Sequence, residues 1–139
     1  SHPLAEAAQR AHQDWEAAFG QLDFRRAAEA ALQLAIQANG YLNERAPWAL
    51  KKRGDQDTAV AADLYAVLEA CRWIAILLAP LLPDLSARML EQLAQPVLSS
   101  KAGDRSDGSA LLCWGLLSPG LALPEPQPVM QRLELDAPL

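Results

Sequence analysis

From Leu4 to Phe19 the apolar residues recur at intervals of three and four: Leu4, Ala8, Ala11, Trp15, Ala18 and Phe19. Glu6, Arg10, Gln13, Asp14 and Glu16 fall mostly off that stripe, so the spacing predicts a helix from Ala5 through Phe19 with Trp15 and Phe19 in its core. Gly20 ends it and Asp23 is placed to cap a second helix, from Phe24 to about Arg45. Alanines in that helix allow close approach of a neighbour, while Phe24, Leu32, Ile36, Tyr41 and Leu42 are expected to supply bulk. After a polar connection capped by Asp57 or Thr58, a third helix runs to about Ala79, with Val60, Leu64, Val67, Leu68, Cys71, Ile74, Ala75 and Leu78 as its buried side. From Trp73 onward it is apolar all round, which places that half at the centre of a bundle. Pro80 and Pro83 break it, and a fourth helix starts at Asp84 or Ser86 and ends near Leu93 or Ala94. Ser99 to Ser109 reads as a surface loop whose acidic spacing does not fit a calcium site. The segment from Leu111, with Pro119, Pro124, Pro126, Pro128 and Pro138, cannot be a long helix and reads as an extended strap anchored by Trp114. The fold class expected is all-α: a bundle of about four helices with a Pro-rich C-terminal strap.

The connection after the second helix carries the most legible chemistry. Pro47 has no backbone N–H and pushes Ala46 away from the helical region, which stops the helix and holds Trp48 just past its end. A tryptophan there either folds back on its own core or offers its ring face to a planar partner such as an unstacked base. Arg45, Lys51, Lys52 and Arg53 stand near it against Glu44 alone, either as a solvated surface or as a patch facing phosphates. Asn39 and Tyr41 lie in the last two turns of the helix, close to the same loop. Asn39 suits either a bond to local backbone or a contact to a base, and Tyr41 either a half-buried ring or an RNA contact.

Composition narrows the function classes. The 139 residues make one domain's worth of chain, and 51% hydrophobic with 21% charged residues is ordinary for a folded protein. A formal net charge of −5 argues against gripping nucleic acid by bulk electrostatics, so only a local basic patch could serve. Cys71 and Cys113 have no second thiol at metal or redox spacing, which fits buried free thiols in a reducing compartment. The N-terminus has no basic region leading into an apolar run, as a signal peptide would, and the apolar run Ile74 to Leu82 is too short to span a bilayer. Ser1-His2 before Pro3 reads as a cloning remnant. His2 and His12 have no sequence neighbours that would complete a catalytic triad or a zinc site, and there is no glycine-rich phosphate loop. No catalytic residue and no metal site is expected in this chain.

The run Asn39-x-Tyr41-Leu42-x-x-x-x-Pro47-Trp48-x-Leu50-x-Lys52 resembles the signature of the helical anticodon-binding domain of methionyl-tRNA synthetases, which are class I enzymes. Arg72-Trp73-Ile74-Ala75-Ile76-Leu77-Leu78-Ala79-Pro80-Leu81-Leu82-Pro83, followed by Ala87-Arg88-Met89-Leu90-Glu91-Gln92-Leu93, is similar to the buried helix, the proline break and the next helix of that domain. Trp114-Gly115-x-Leu117-x-Pro119-Gly120, with Pro126-x-Pro128-Val129-Met130-Gln131-Arg132-Leu133-Glu134, resembles its closing segment. The resemblance covers roughly residues 20 to 136, and it is the combination in this order that points to the methionine enzyme.

The resemblance implies that Trp48, positioned by Pro47, stacks on an anticodon base, with Asn39 and Tyr41 nearby and with Arg45, Lys51, Lys52 and Arg53 as candidates for phosphate contacts. It also implies a parent enzyme whose upstream catalytic domain uses ATP and Mg to ligate methionine to tRNA, in the cytoplasm, with tRNA and that catalytic domain as partners and with neither membrane nor DNA involved. The family also reads the anticodon with an Asn-x-x-x-Arg pair on a preceding helix. Gln9, Arg10 and Gln13 do not fit that pattern, so the helix that carries it is expected to lie outside this chain. Two other readings stand beside this one: the anticodon domain of another class I synthetase, and a helical protein-interaction module descended from such a domain.

Overall fold

A computed structural model of the protein describes residues 2–46, 57–96, 111–119, 123–125 and 127. Four helices, α1 (Pro3–Gly20), α2 (Phe24–Arg45), α3 (Asp57–Leu78) and α4 (Pro83–Gln92), make up the bundle, and no strand occurs among the described residues. Three of the helix starts have a local cause. The imidazole Nδ1 of His2 accepts the Leu4 N–H at 3.0 Å and caps α1, with Pro3 in its first turn, where the missing N–H costs nothing. Asp23 Oδ1 accepts the Arg26 N–H at 3.1 Å and starts α2 as its sequence position suggests. Pro83, not Asp84 or Ser86, opens α4, and the Ser86 hydroxyl instead donates to the Ala75 carbonyl at 2.7 Å, tying α4 to α3.

The α1–α2 contact is built from small residues. Ala7, Ala8 and Ala11 of α1 meet a face of α2 that carries Ala31, Leu34 and Ala38, and this cluster continues into Ala66, Ala70, Trp73 and Leu77 of α3. Helices that present methyl groups to one another approach closely, which leaves no room for large side chains on that face. Phe24, Leu32 and Ile36, expected to give α2 its buried bulk, are therefore turned outward and remain 50%, 55% and 62% exposed. On α3 the buried stripe is Asp63, Ala66, Ala70, Trp73 and Leu77, and Leu64 lies on the exposed side. Every residue from Trp73 to Leu78 is buried, as the all-round apolar pattern requires.

A row of aromatic rings follows the length of α1. Trp114, Trp73, His12, Trp15, Phe19 and Phe24 succeed one another with ring centroids 4.2 to 6.4 Å apart. Trp15 also donates its indole N–H to the Leu77 carbonyl at 2.8 Å, which satisfies an end group of α3.

Residues 111–119 lie across α3 as a strap that turns at Trp114-Gly115 instead of running extended as expected, held by side chains at positions i, i+4 and i+7 of one helical face. The Tyr65 hydroxyl donates to the Leu117 carbonyl at 2.6 Å. Glu69, fully buried, accepts the Gly115 N–H at 3.1 Å and the Leu117 N–H at 3.0 Å. Arg72 pairs with Glu69 and donates to the Leu111 and Cys113 carbonyls at 2.6 and 2.8 Å. Gly115 sits at φ +96, a conformation L side chains rarely adopt, between these two anchoring points. Trp114 is the anchor expected of it, packed on Trp73 and on the His2 ring. The surface loop expected at Ser99 to Ser109 and the tail from Pro128 lie outside the described residues.

Candidate nucleic-acid interface

Where α2 ends and α3 begins, one buried carboxylate gathers three elements. Asp63, on the first turns of α3, is only 4% exposed. Its Oδ1 accepts the Tyr41 hydroxyl at 2.7 Å and its Oδ2 accepts Arg45 Nε at 3.0 Å. Because Tyr41 gives its proton to Asp63, its oxygen accepts from His2 Nε2, 3.1 Å away, while His2 Nδ1 is occupied by the Leu4 N–H. These partners fix the neutral tautomer of His2. The start of α1, the end of α2 and the start of α3 are thus joined through a chain of hydrogen bonds, and the His2 ring stacks on Trp114 of the strap with an interplanar angle of 16°.

The electrostatics follow from burial and from Asp63. Burial first, then the hydrogen bond to Asp63 and its charge, raise the Tyr41 phenol above its ordinary value of 10.0, with Arg45 opposing. The hydrogen bond to Asp63 raises Arg45 above its ordinary value in turn. Tyr65, beneath the strap, is raised by burial and by the Glu69 charge.

The sequence-expected site residues fall into two groups. Asn39, Tyr41 and Arg45 are all within the last turns of α2, as expected, but they face differently. Asn39 is exposed, and its side chain makes no hydrogen bond to another described residue, whereas Tyr41 and Arg45 turn toward α3 and Asp63. The chain leaves α2 at Ala46, which adopts a left-handed conformation (φ 40, ψ 61) with its N–H on the Leu42 carbonyl. Pro47, Trp48, Lys51, Lys52 and Arg53 lie outside the described residues. Sequence reasoning missed Asp63 and His2. The signal for Asp63 was available, since an acidic residue stands in register with Ala66, Ala70 and Trp73 on the buried stripe of α3. His12, read as isolated, pairs with Glu16 one turn along at 3.2 Å.

Elsewhere the described residues offer little chemistry. A groove of about 420 Å³ between α3 and the strap is lined mainly by Leu64, Tyr65, Leu68, Leu117, Pro119 and Leu123, and no acid–base pair lines it. Among the described residues no group of three His, Cys, Asp or Glu side chains could hold a metal ion, and no helix is long and apolar enough to cross a membrane.

Comparison with known proteins bears on this end of the bundle. The family model for the anticodon binding domain of methionyl tRNA ligase matches residues 1–136. A methionine–tRNA ligase of Thermosynechococcus vestitus is 35% identical over 98% of this chain and 26% of its own length. The chloroplastic/mitochondrial methionine–tRNA ligase of Arabidopsis thaliana is 33% identical over 96% of this chain and 21% of its own length. A Rickettsia conorii methionine–tRNA ligase reaches 47% identity over 45% of the chain and 12% of its own length. No solved structure matches. The chain thus spans about a quarter of the length of these full-span relatives. With the family model covering all but the last three residues and relatives above 30% identity along nearly the whole chain, this chain belongs to the anticodon-binding domains of methionyl-tRNA ligases.

Proposed function

We propose that this chain recognises the anticodon stem-loop of tRNA within a methionine–tRNA ligase, and that Trp48 stacks on an anticodon base. The observation that carries the reading is the Pro47-Trp48 dipeptide with Lys51, Lys52 and Arg53 close behind it, following a helix that belongs to this family of anticodon-binding domains. An indole face accepts any base at little conformational cost, and cations beside it take the phosphates on either side. Because the chain as a whole is acidic, contact should be confined to this end, with Asn39 on its outer rim. Ligation of methionine, with ATP and Mg, belongs in this reading to a catalytic part of the same ligase, in the compartment where tRNA is charged. That catalytic part is also the proposed partner of the outer face of α2, where Leu32 and Ile36 are exposed one turn apart.

The test is binding of a CAU anticodon stem-loop to the chain and to Trp48→Ala. Loss of one stacked base costs on the order of 1–3 kcal/mol, or roughly 5- to 150-fold in Kd. Unchanged affinity with helicity retained would remove Trp48 from the interface. Equal affinity for stem-loops with other anticodons would mean that the chain binds the stem-loop without reading its anticodon.

A further inference from the structure

We infer that Asp63 is a positioning residue of this interface that locks Arg45 away from RNA, so that Arg45 frames the end of α2 instead of neutralising a phosphate. The inference rests on the RNA-binding reading above and deepens it by dividing the basic residues around Trp48 into two kinds. Arg45 Nε lies 3.0 Å from Asp63 Oδ2, and the Asp63 side chain is 6% exposed against 48% for Arg45. A carboxylate so enclosed has little water to solvate it, so Arg45 is its counter-ion. If Arg45 withdrew its Nε to turn to a phosphate, Asp63 would be left buried with, among the described residues, the Tyr41 hydroxyl alone. A phosphate contact at a wet surface returns less than that desolvation costs. The pair therefore stays closed when RNA binds, and its net charge is zero.

Tyr41 shares this constraint. Its hydroxyl donates to Asp63 and accepts from His2, so both of its hydrogen-bonding functions are used within the fold. Two residues whose types suit RNA contact are committed instead to fixing the last turn of α2 against α3, the turn from which the chain departs toward Pro47 and Trp48. Asp63 thereby takes Arg45 out of the cations available to RNA and holds the last turn of α2 against α3.

The lock predicts a gain of electrostatic binding when the carboxylate is neutralised. In Asp63→Asn, Arg45 is released and becomes available to a phosphate. The slope of log K against log salt concentration for single-stranded RNA then steepens by about 0.7, the value for one more phosphate neutralised. Between 50 and 200 mM salt that increment is a further loss of roughly threefold in affinity. Adding Arg45→Gln to Asp63→Asn removes it. The slopes are measured on the chain with the CAU stem-loop and, separately, with poly(U), after circular dichroism has verified the helicity of each variant. Steepening in Asp63→Asn, reversed in the double variant, supports the lock. An unchanged slope in a folded Asp63→Asn overturns it, as does a flatter slope in Arg45→Gln alone. That last measurement decides the matter by itself if Asp63→Asn does not fold. Loss of the lock with either RNA leaves the effect of Trp48→Ala untouched, and a silent Trp48→Ala leaves the slope comparison with poly(U) intact, so the two readings fail separately.

Discussion

Removing the Glu69 carboxylate tests the clamp that holds the strap to α3. Glu69 is fully enclosed, Arg72 is 3% exposed, and the carboxylate also receives two strap N–H groups, from Gly115 and Leu117. In Glu69→Ala the Arg72 guanidinium keeps its bonds to the Leu111 and Cys113 carbonyls but loses its counter-ion. Breaking a buried pair by deleting one partner costs about 3–5 kcal/mol. Each orphaned buried N–H adds about 1–3 kcal/mol, but the strap can lift toward water and so caps that addition. A loss of about 4 kcal/mol is expected. With ~2.1 cal/mol/K of unfolding entropy per residue, a 139-residue chain gains about 0.3 kcal/mol per degree, so Tm should fall by about 13 °C. Thermal unfolding followed by circular dichroism gives the shift, and hydrogen exchange should show protection lost at the Gly115 and Leu117 amides first. Glu69→Gln, which keeps an acceptor and loses the charge, should fall between the two. A Tm drop of less than ~3 °C in Glu69→Ala, about 1 kcal/mol, would refute the clamp.

The register of α2 is tested by a pair of truncations. Leu34→Ala, at a residue 1% exposed, should cost about 2–5 kcal/mol, while Leu32→Ala on the outer side should stay within ~0.5 kcal/mol in the same unfolding assay. Gly40→Ala in the exposed part of α2, where an added Cβ meets nothing within 4 Å, should stabilise the chain by about 0.5–1 kcal/mol; a loss instead would mean that the backbone there is not free. The chain has two tyrosines, and both phenols are raised above 10.0, chiefly by burial. Absorbance titration should therefore show no phenol ionising at the ordinary value. Because the folded state holds these protons more tightly than the unfolded one, their contribution is fully present below about pH 10 and is lost as pH rises through the raised values. A titration centred at 10 would contradict the enclosure of Tyr41 and Tyr65.

Much of the architecture follows from local rules that act within a few residues. Asp23 caps α2 because its carboxylate reaches the third N–H on, Pro83 opens α4 because no N–H is needed there, and the apolar run from Trp73 is buried because no side of it tolerates water. The Pro47-Trp48 dipeptide and the basic residues after it were legible in the same way, and with them the family. What sequence periodicity could not decide was which of two apolar faces α2 would bury. Alanine and leucine alternate around that helix, and the choice went to the alanine face only because α1 offers alanines of its own across the contact. Nor could periodicity separate Arg45 and Tyr41 from the residues that face outward, because that depends on Asp63, 18 and 22 positions along the chain, arriving at the same point in space. The strap, too, has no pattern of its own. It lies where it does because Tyr65, Glu69 and Arg72 present donors and acceptors to a backbone that forms neither helix nor strand. Sequence by itself determined the four helices and most of their ends, and with the Pro47-Trp48 run the family. Tertiary structure decided which charges are neutralised inside the fold, because a charge's partner is set by distance in space and by access to water, and neither is encoded within a single turn.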